Sequence, residues 1–167
     1  DWNELLAGHD RWTLVANLPY NIATPLVADL LDDVPQVAAM LVMVQKEVAQ
    51  RFAAGPGSKQ YGAVSVKVAY WATARLVGDV PPTVFVPRPN VDSALVRIER
   101  RDPPDVDRER LFELVRTAFG QRRKMLRRSL AGVVTSDQFA AAHVAPEARP
   151  ESLGLAEWVA LTRAVTA

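Results

Sequence analysis

Hydrophobic and polar positions along the first part of the chain predict strands alternating with helices. Residues 12–18 and 38–44 are two continuous apolar, β-prone runs, the pattern typical of buried parallel strands. Between them, apolar positions at helical spacing predict a helix with Pro25 in its first turn, ended by Pro35. Residues 61–71 fit either a helix or a strand, and their small residues and apolar spacing favour a helix.

The middle of the chain adds one further helix and three further strands. A glycine-containing turn ends the helix, and prolines separate the strands from one another. The helix is predicted over 46–54, and the strands over 74–80, 83–86 and 93–101. Two strand–helix units followed by a strand-rich tail predict an α/β layered domain.

A composition change at Asp102-Pro103-Pro104-Asp105 marks the best domain boundary, and every element predicted beyond it is helical. Asp107 is a suitable N-cap for a helix that ends near Gly120. Further helices are predicted over 121–131, after the capping-box spacing that begins at Thr135, and over 155–164. The sequence thus predicts an α/β domain over 1–101 and a helical domain over 102–167.

The amino-acid composition excludes several kinds of catalytic and metal site. The chain contains no cysteine, which excludes disulfides, a cysteine nucleophile and thiolate metal sites. His9 and His143 are far apart in sequence, so we interpret both as structural or surface residues and expect no metal site. No apolar run reaches 18 residues and the first residues do not resemble a signal peptide, so a cytoplasmic protein is expected.

The formal net charge of +1 conceals a basic segment, Arg122–Arg128, with five positive charges in seven residues. On a helix, Arg123, Lys124, Arg127 and Arg128 would share one face, while apolar residues would share the other. Such a face is often only solvated. Like charges without interleaved carboxylates repel one another, however, so an anion such as an RNA backbone is a candidate partner.

The first strand ends in the tetrapeptide Asn17-Leu18-Pro19-Tyr20, hereafter the NLPY turn. Ligands of open parallel sheets bind at the carboxyl ends of strands. A side-chain amide, backbone carbonyls and an aromatic ring at that position suit the exocyclic amino group and the flat face of a flipped-out base. The alternative is a proline turn whose tyrosine fills the core, and the tetrapeptide's own chemistry does not decide between them.

Six segments in order carry a family resemblance. They are NLPY at 17–20, QKEVAQR at 45–51, PGSKQYG at 56–62, VFVPRPNVDSA at 84–94, FGQRRKMLR at 119–127 and RPESL at 149–153. Together they resemble the KsgA-type small-subunit rRNA adenine dimethyltransferases, from about residue 12 to the C-terminus. Related enzymes that methylate a single adenine of large-subunit rRNA share a similar turn, but do not usually carry the string at 84–94.

The resemblance implies a class I (Rossmann-like) methyltransferase sheet followed by a small all-α domain. It implies transfer of methyl groups from S-adenosylmethionine to N6 of two adjacent adenines in 16S rRNA of the small-subunit precursor. Asn17 and the carbonyls of Leu18 and Pro19 would hold the N6 hydrogens, with Asn17 also close to the methyl donor. Tyr20 and Phe85 would cover the two faces of the adenine. The residues expected to bind RNA are Arg122, Arg123, Lys124, Arg127, Arg128, Arg88 and Lys59.

The sequence departs from the family pattern by lacking its glycine-rich donor-binding loop. We therefore expect a fragment that holds the C-terminal half of the catalytic sheet, binds S-adenosylmethionine poorly by itself and is inactive alone. The strand at 12–18 is then expected to be an apolar edge prone to self-association. The alternative function is a non-catalytic RNA-binding or ribosome-assembly factor.

Overall fold

The computed structural model describes residues 2–167, and of Asn3 only the backbone. It divides into two compact units. The first comprises the chain up to Ala53 together with Trp71–Pro103, and the second comprises Ala54–Tyr70 with Pro104–Ala167. This grouping differs from the predicted 1–101 and 102–167 by the segment 54–70, which contacts the C-terminal helices: the Tyr61 hydroxyl donates to the Leu153 carbonyl at 2.7 Å.

The first unit is built on a four-stranded sheet in the order β1-β2-β4-β3. Its strands are β1 (Trp12–Asn17), β2 (Val37–Gln45), β3 (Ala72–Val80) and β4 (Ser93–Arg100). β1 runs parallel to β2, and both pairs that involve β4, with β2 and with β3, are antiparallel. β1 therefore forms an edge of this sheet, and its Val15 side chain is 71% exposed.

Three helices accompany the sheet: α1 (Trp2–Leu5), α2 (Ala23–Asp33) and α3 (Lys46–Phe52). Apolar α2 side chains at helical spacing are buried, as the sequence predicts. The C-terminal end of α2 is held by the Arg100 guanidinium of β4, which donates to backbone carbonyls at 2.9–3.1 Å. Burial lowers the pKa of Arg100, and its hydrogen bonds to these backbone carbonyls compensate its desolvation.

The second unit is helical. Its elements are most of α4 (Ala63–Trp71), α5 (Arg108–Gly120), α6 (Leu126–Ser129), α7 (Ser136–Ala141) and α8 (Leu155–Thr166). Both predicted caps are confirmed: Asp107 accepts from the backbone N–H of Arg110, and Thr135 forms a reciprocal capping box with Gln138. The helix favoured over 61–71 is confirmed as α4.

Two predicted elements are wrong. Residues 83–86 do not form a strand, because Pro81 and Pro82 lack the N–H groups that a ladder requires, and Pro82–Val84 forms a 3₁₀ turn instead. The helix predicted over 121–131 is reduced to the four residues of α6. Met125 before it is extended, and distant carbonyls take the first α6 donors: Leu126 N–H bonds Ala148 at 2.8 Å.

Candidate active site

The NLPY turn lies between the end of β1 and the start of α2. Its first link is to the sheet, because the Leu18 N–H donates to the Met43 carbonyl of β2 at 3.0 Å. Its second link is to the helix, because the Pro19 carbonyl accepts from the N–H groups of Ile22 and Ala23 at 3.2 and 3.1 Å. The turn is thereby fixed at both ends by backbone hydrogen bonds.

These bonds change which acceptors are available at the turn. The Pro19 carbonyl, expected from the sequence to be free, already accepts two hydrogen bonds, so it has no lone pair left for a ligand. Within residues 2–167, no backbone N–H bonds the Leu18 carbonyl. The Asn17 side chain is exposed. The acceptors that remain for an amino group are therefore the Asn17 amide oxygen and the Leu18 carbonyl.

Tyr20 is fixed by a hydrogen bond to a residue of β4. Its hydroxyl lies 2.7 Å from Oγ of Ser93, the fully buried first residue of β4. The ring is half-buried, so one end is anchored while part of it remains accessible. Sequence reasoning missed Ser93, although it lies in the NVDSA part of the string at 84–94.

A small cavity of about 290 Å³ opens at the turn. All four residues of the NLPY turn line it together with Phe85, so the structure brings together the five residues predicted to act on the base. Pro87 and Pro89 complete the lining, and sequence reasoning assigned them no role. The 3₁₀ turn positions Phe85, whose N–H donates to the Pro82 carbonyl at 3.3 Å. Two aromatic rings and two acceptors suit a flat, amino-bearing ligand of about one base.

The basic segment belongs to the second unit and is held by its apolar residues. Leu126 and Leu130 are fully buried. The five cationic side chains are all exposed, and they are Arg122, Arg123, Lys124, Arg127 and Arg128. Because α6 is short, these charges do not share one helical face as predicted. They are spread over a non-helical turn and the single turn of α6 that follows it.

Few protein contacts engage these cations. The Arg122 guanidinium donates to the Lys59 carbonyl at 3.0 Å, which brings the predicted RNA-binding residues Lys59 and Arg122 together. Arg127 lies 3.8 Å from Glu147 in an exposed pair, which is weak in water. The remaining predicted cation, Arg88, is exposed in the first unit and lines a different cleft from the NLPY turn.

The cavity lining does not by itself fit the methyl donor expected from the resemblance. A donor site of that family needs a glycine-rich loop and acidic residues, and the described lining of the cavity includes neither glycine nor a carboxylate. Among the residues that line the cavity, only Asn17 lies at the end of a strand and has an exposed polar side chain. The residues of this cavity therefore do not by themselves form the donor site that the resemblance implies.

Neither a metal cluster nor a membrane-spanning helix is formed by the described residues 2–167. No group of three or more His, Cys, Asp and Glu side chains in this range is arranged to hold a metal ion. No helix in the same range is long and apolar enough to cross a membrane.

Known structures share this fold. The chain superimposes with a TM-score of 0.73 on a dimethyladenosine transferase from Plasmodium falciparum, at 22% sequence identity, covering 89% of this chain and 64% of that one. It superimposes with a TM-score of 0.71 on the 23S rRNA methyltransferase ErmE, at 21% identity, covering 98% of this chain and 70% of that one. The predicted class I methyltransferase fold is confirmed.

Sequence relatives are considerably closer. The chain is 47% identical to ribosomal RNA small subunit methyltransferase A of Cutibacterium acnes, over 97% of this chain and 58% of the relative. It is 48% identical to the protein of the same name from Bifidobacterium adolescentis, over 93% of this chain and 55% of the relative. The chain thus spans little more than half the length of these relatives.

A family model described as ribosomal RNA adenine dimethylase matches residues 2–166. That match covers nearly the whole chain and includes both the NLPY turn and the basic segment. The chain belongs to the ribosomal RNA adenine dimethylase family.

Proposed function

We propose that this chain is the acceptor-binding part of an enzyme that dimethylates N6 of two adjacent adenines in 16S rRNA. S-adenosylmethionine would be the methyl donor, and the precursor of the small ribosomal subunit in the cytoplasm would be the substrate. The observation that carries the proposal is the cavity of about 290 Å³ that unites Asn17, Leu18, Tyr20 and Phe85. Family membership and the names of the relatives support the same reaction.

The cavity has the features that a flipped-out adenine requires. A base that undergoes chemistry must leave its stack, and stacking on aromatic side chains compensates part of the cost. Tyr20 and Phe85 supply two rings, of which Tyr20 is anchored through Ser93 at 2.7 Å. The Asn17 amide oxygen and the Leu18 carbonyl supply two acceptors for the two N6 hydrogens.

Holding the N6 hydrogens also activates the amine. The lone pair of an adenine amine is delocalised into the ring, so the free amine is a poor nucleophile. Two acceptors outside the ring plane favour a pyramidal nitrogen with its lone pair exposed, and fixed placement lowers the entropic part of the barrier. S-adenosylmethionine supplies an electrophilic methyl group when bound. The lining of the cavity has no carboxylate or imidazole among the described residues, so positioning is the contribution of this chain.

The basic segment is proposed to bind the rRNA backbone. Its five cationic side chains are exposed, while its leucine, Leu126, is buried. Within the described part of the chain, only Arg127 among the five has a carboxylate within 4 Å, that of Glu147 at 3.8 Å. Phosphate contacts of this kind fix register and give strong salt dependence without reading sequence. Lys59 joins this group through Arg122, and Arg88 is a separate candidate in the first unit.

A second function from a different class is a non-catalytic RNA-binding or assembly factor. The observation that favours it is that the described residues lack the donor side of the site. Titration of S-adenosylmethionine into this chain in a calorimeter tests whether the donor side lies outside these residues; methyl transfer by the joined protein distinguishes the two functions. We expect no binding in the micromolar range, and micromolar affinity would contradict the view that the donor side lies outside these residues.

Self-association through β1 is proposed as well. β1 is a sheet edge, and the outward Val15 is 71% exposed, the combination that promotes pairing between strands of two chains. Sedimentation of this chain and of Val15→Lys tests it: we expect the wild-type chain to associate and the lysine variant to be monomeric. A monomeric wild-type chain with slow amide exchange along β1 would contradict the proposal.

The experiment that tests the proposed reaction joins this chain to the donor-binding part of the family and measures labelled methyl transfer to small-subunit particles. Labelled N6,N6-dimethyladenosine in the rRNA is the expected product. RNA binding without methyl transfer by the joined protein would instead support the assembly factor.

A further inference from the structure

A second cleft lies in the first unit beside the cavity of the NLPY turn. Its volume is about 690 Å³, more than twice that of the cavity, so it has room for a nucleotide with its sugar and phosphate. The start of α3 forms one side, and the loop over 88–92 forms the other. The proposed methyl transfer assigns a role to Arg88 alone among the residues of this cleft, as a candidate RNA contact.

The cleft and the cavity share a thin wall. Pro89 lines both of them. Ser93, which bonds the Tyr20 hydroxyl on the cavity side, pairs with Gln45 of β2, and Gln45 lines the cleft. A ligand that occupies both spaces would therefore place two of its units on either side of Pro89, as two consecutive nucleotides of one strand could.

The polar lining of the cleft includes three side-chain amides besides four charged side chains. Gln45, Gln50 and Asn90 face it, and none of the three amides bonds another described residue of the chain. Each amide offers a donor and an acceptor side by side. That pairing is the complement of a base edge, and single-stranded RNA bases are read in this way on their exposed edges.

The charges of the cleft also favour a base over a phosphate alone. Lys46 and Arg88 are balanced by Glu47 and Asp92, so the lining is formally neutral. Lys46 is moreover bound to Asp79 at 2.7 Å, and this hydrogen bond and charge raise its pKa. A site for bare phosphate would instead present uncompensated cations. Arg88 is left to contact the sugar–phosphate of a nucleotide in the cleft.

We propose that this cleft binds the nucleotide adjacent to the target adenine and reads its base through Gln50 and Asn90. The inference rests on the proposed function, because it takes the target adenine to occupy the neighbouring cavity. It gives a structural basis for action on two neighbouring adenines: one adenine occupies the cavity while the other is held in the cleft.

Fluorescence anisotropy with short single-stranded RNAs tests the proposal on this chain. One RNA carries two adjacent adenines, and the other carries one adenine between two abasic positions. The variants are Gln50→Ala/Asn90→Ala for the cleft and Phe85→Ala for the cavity. Thr73→Ala, an exposed residue of β3 that lines neither space, is the control.

We expect Gln50→Ala/Asn90→Ala to weaken binding of the two-adenine RNA about tenfold and to leave the single-adenine RNA within about twofold. Phe85→Ala should weaken both RNAs, and Thr73→Ala neither. An equal effect of the amide variant on both RNAs, or no effect on either, would overturn the cleft assignment while the Phe85→Ala result still supports the cavity. If Phe85→Ala affects neither RNA, the proposed function fails and the inference fails with it.

Discussion

The NLPY turn and the basic segment are both short motifs with a clear chemical character, yet they are built in opposite ways. The turn joins two elements that the local pattern predicts, because its backbone bonds extend the β1–β2 ladder at Met43 and begin α2. The basic segment is shaped by a distant stretch, because residues 146–148 bond the first N–H groups of α6. The bonds of the turn extend predicted elements, whereas the bonds to residues 146–148 replace the helix that was predicted for the basic segment.

The NLPY turn and the basic segment should therefore respond differently to substitution. In the turn, function should depend on single side-chain atoms at fixed positions. In the basic segment, function should depend on summed charge and on the buried residues that hold the loop. Four predictions test this contrast, from the largest expected effect to the smallest.

Removing the Asn17 amide should cause the largest loss. In the joined, donor-competent protein, Asn17→Ala is expected to reduce methyl transfer by about 100- to 1000-fold, the cost of losing one preorganised polar contact in a catalytic site. RNA affinity should change by less than about twofold, because phosphate contacts are untouched. Asn21→Ala, an exposed residue outside the cavity, is the matched control. A parallel loss of affinity and activity would show that Asn17 serves binding and not positioning.

Truncating Leu126, the buried side chain that anchors the basic segment, should mainly affect folding. Leu126 is fully buried, so Leu126→Ala is expected to lower the free energy of unfolding by about 2–5 kcal/mol in urea denaturation. The half-buried neighbour Met125 is the control, and Met125→Ala should cost less than half as much. Equal costs for the two variants would mean that Leu126 does not anchor the segment.

Reversing two charges of the basic segment should weaken RNA binding without affecting the fold. Arg123→Glu/Arg127→Glu is expected to reduce affinity for small-subunit particles about tenfold and to flatten the dependence of affinity on salt. Arg116→Glu/Arg149→Glu changes the net charge equally at exposed positions outside the segment. If this control weakens binding as much, only the overall charge matters and the segment is not a specific surface.

The hydrogen bond between Tyr20 and Ser93 should contribute least. Tyr20→Phe leaves the buried Ser93 hydroxyl without its partner, so a loss of about 1 kcal/mol in the free energy of unfolding is expected. Ser93→Ala and the double variant complete a thermodynamic cycle. A coupling energy near zero would show that the ring of Tyr20 is held by packing alone.

Much of the fold could be predicted because its signals are local. The apolar run at 12–18, the capping box at Thr135 and the N-cap at Asp107 each depend on residues within one turn or one strand. Each of these predictions is confirmed. The strand predicted over 83–86 failed for a local reason as well, since the prolines before it remove the ladder donors.

The site could be predicted in its residues but not in its bonding. The sequence gathered Asn17, Tyr20 and Phe85 through motifs that are far apart along the chain, and the cavity brings them together. Their assigned roles in catalysis remain predictions. That the Pro19 carbonyl is occupied by the start of α2 could not be read from the tetrapeptide, because it depends on where the following helix begins.

The sequence by itself determined the family, the order of the elements and the residues of the NLPY turn, because these follow from local pattern and from motif order. Only the tertiary structure decided how the basic segment bends, which carbonyl of the turn is free and that Ser93 anchors Tyr20. It alone revealed the cleft beside the cavity. The physical reason is that the free carbonyl depends on the residue at which α2 begins, and the other features depend on contacts with residues distant in sequence. In the basic segment such contacts prevail over the local preference for a helix.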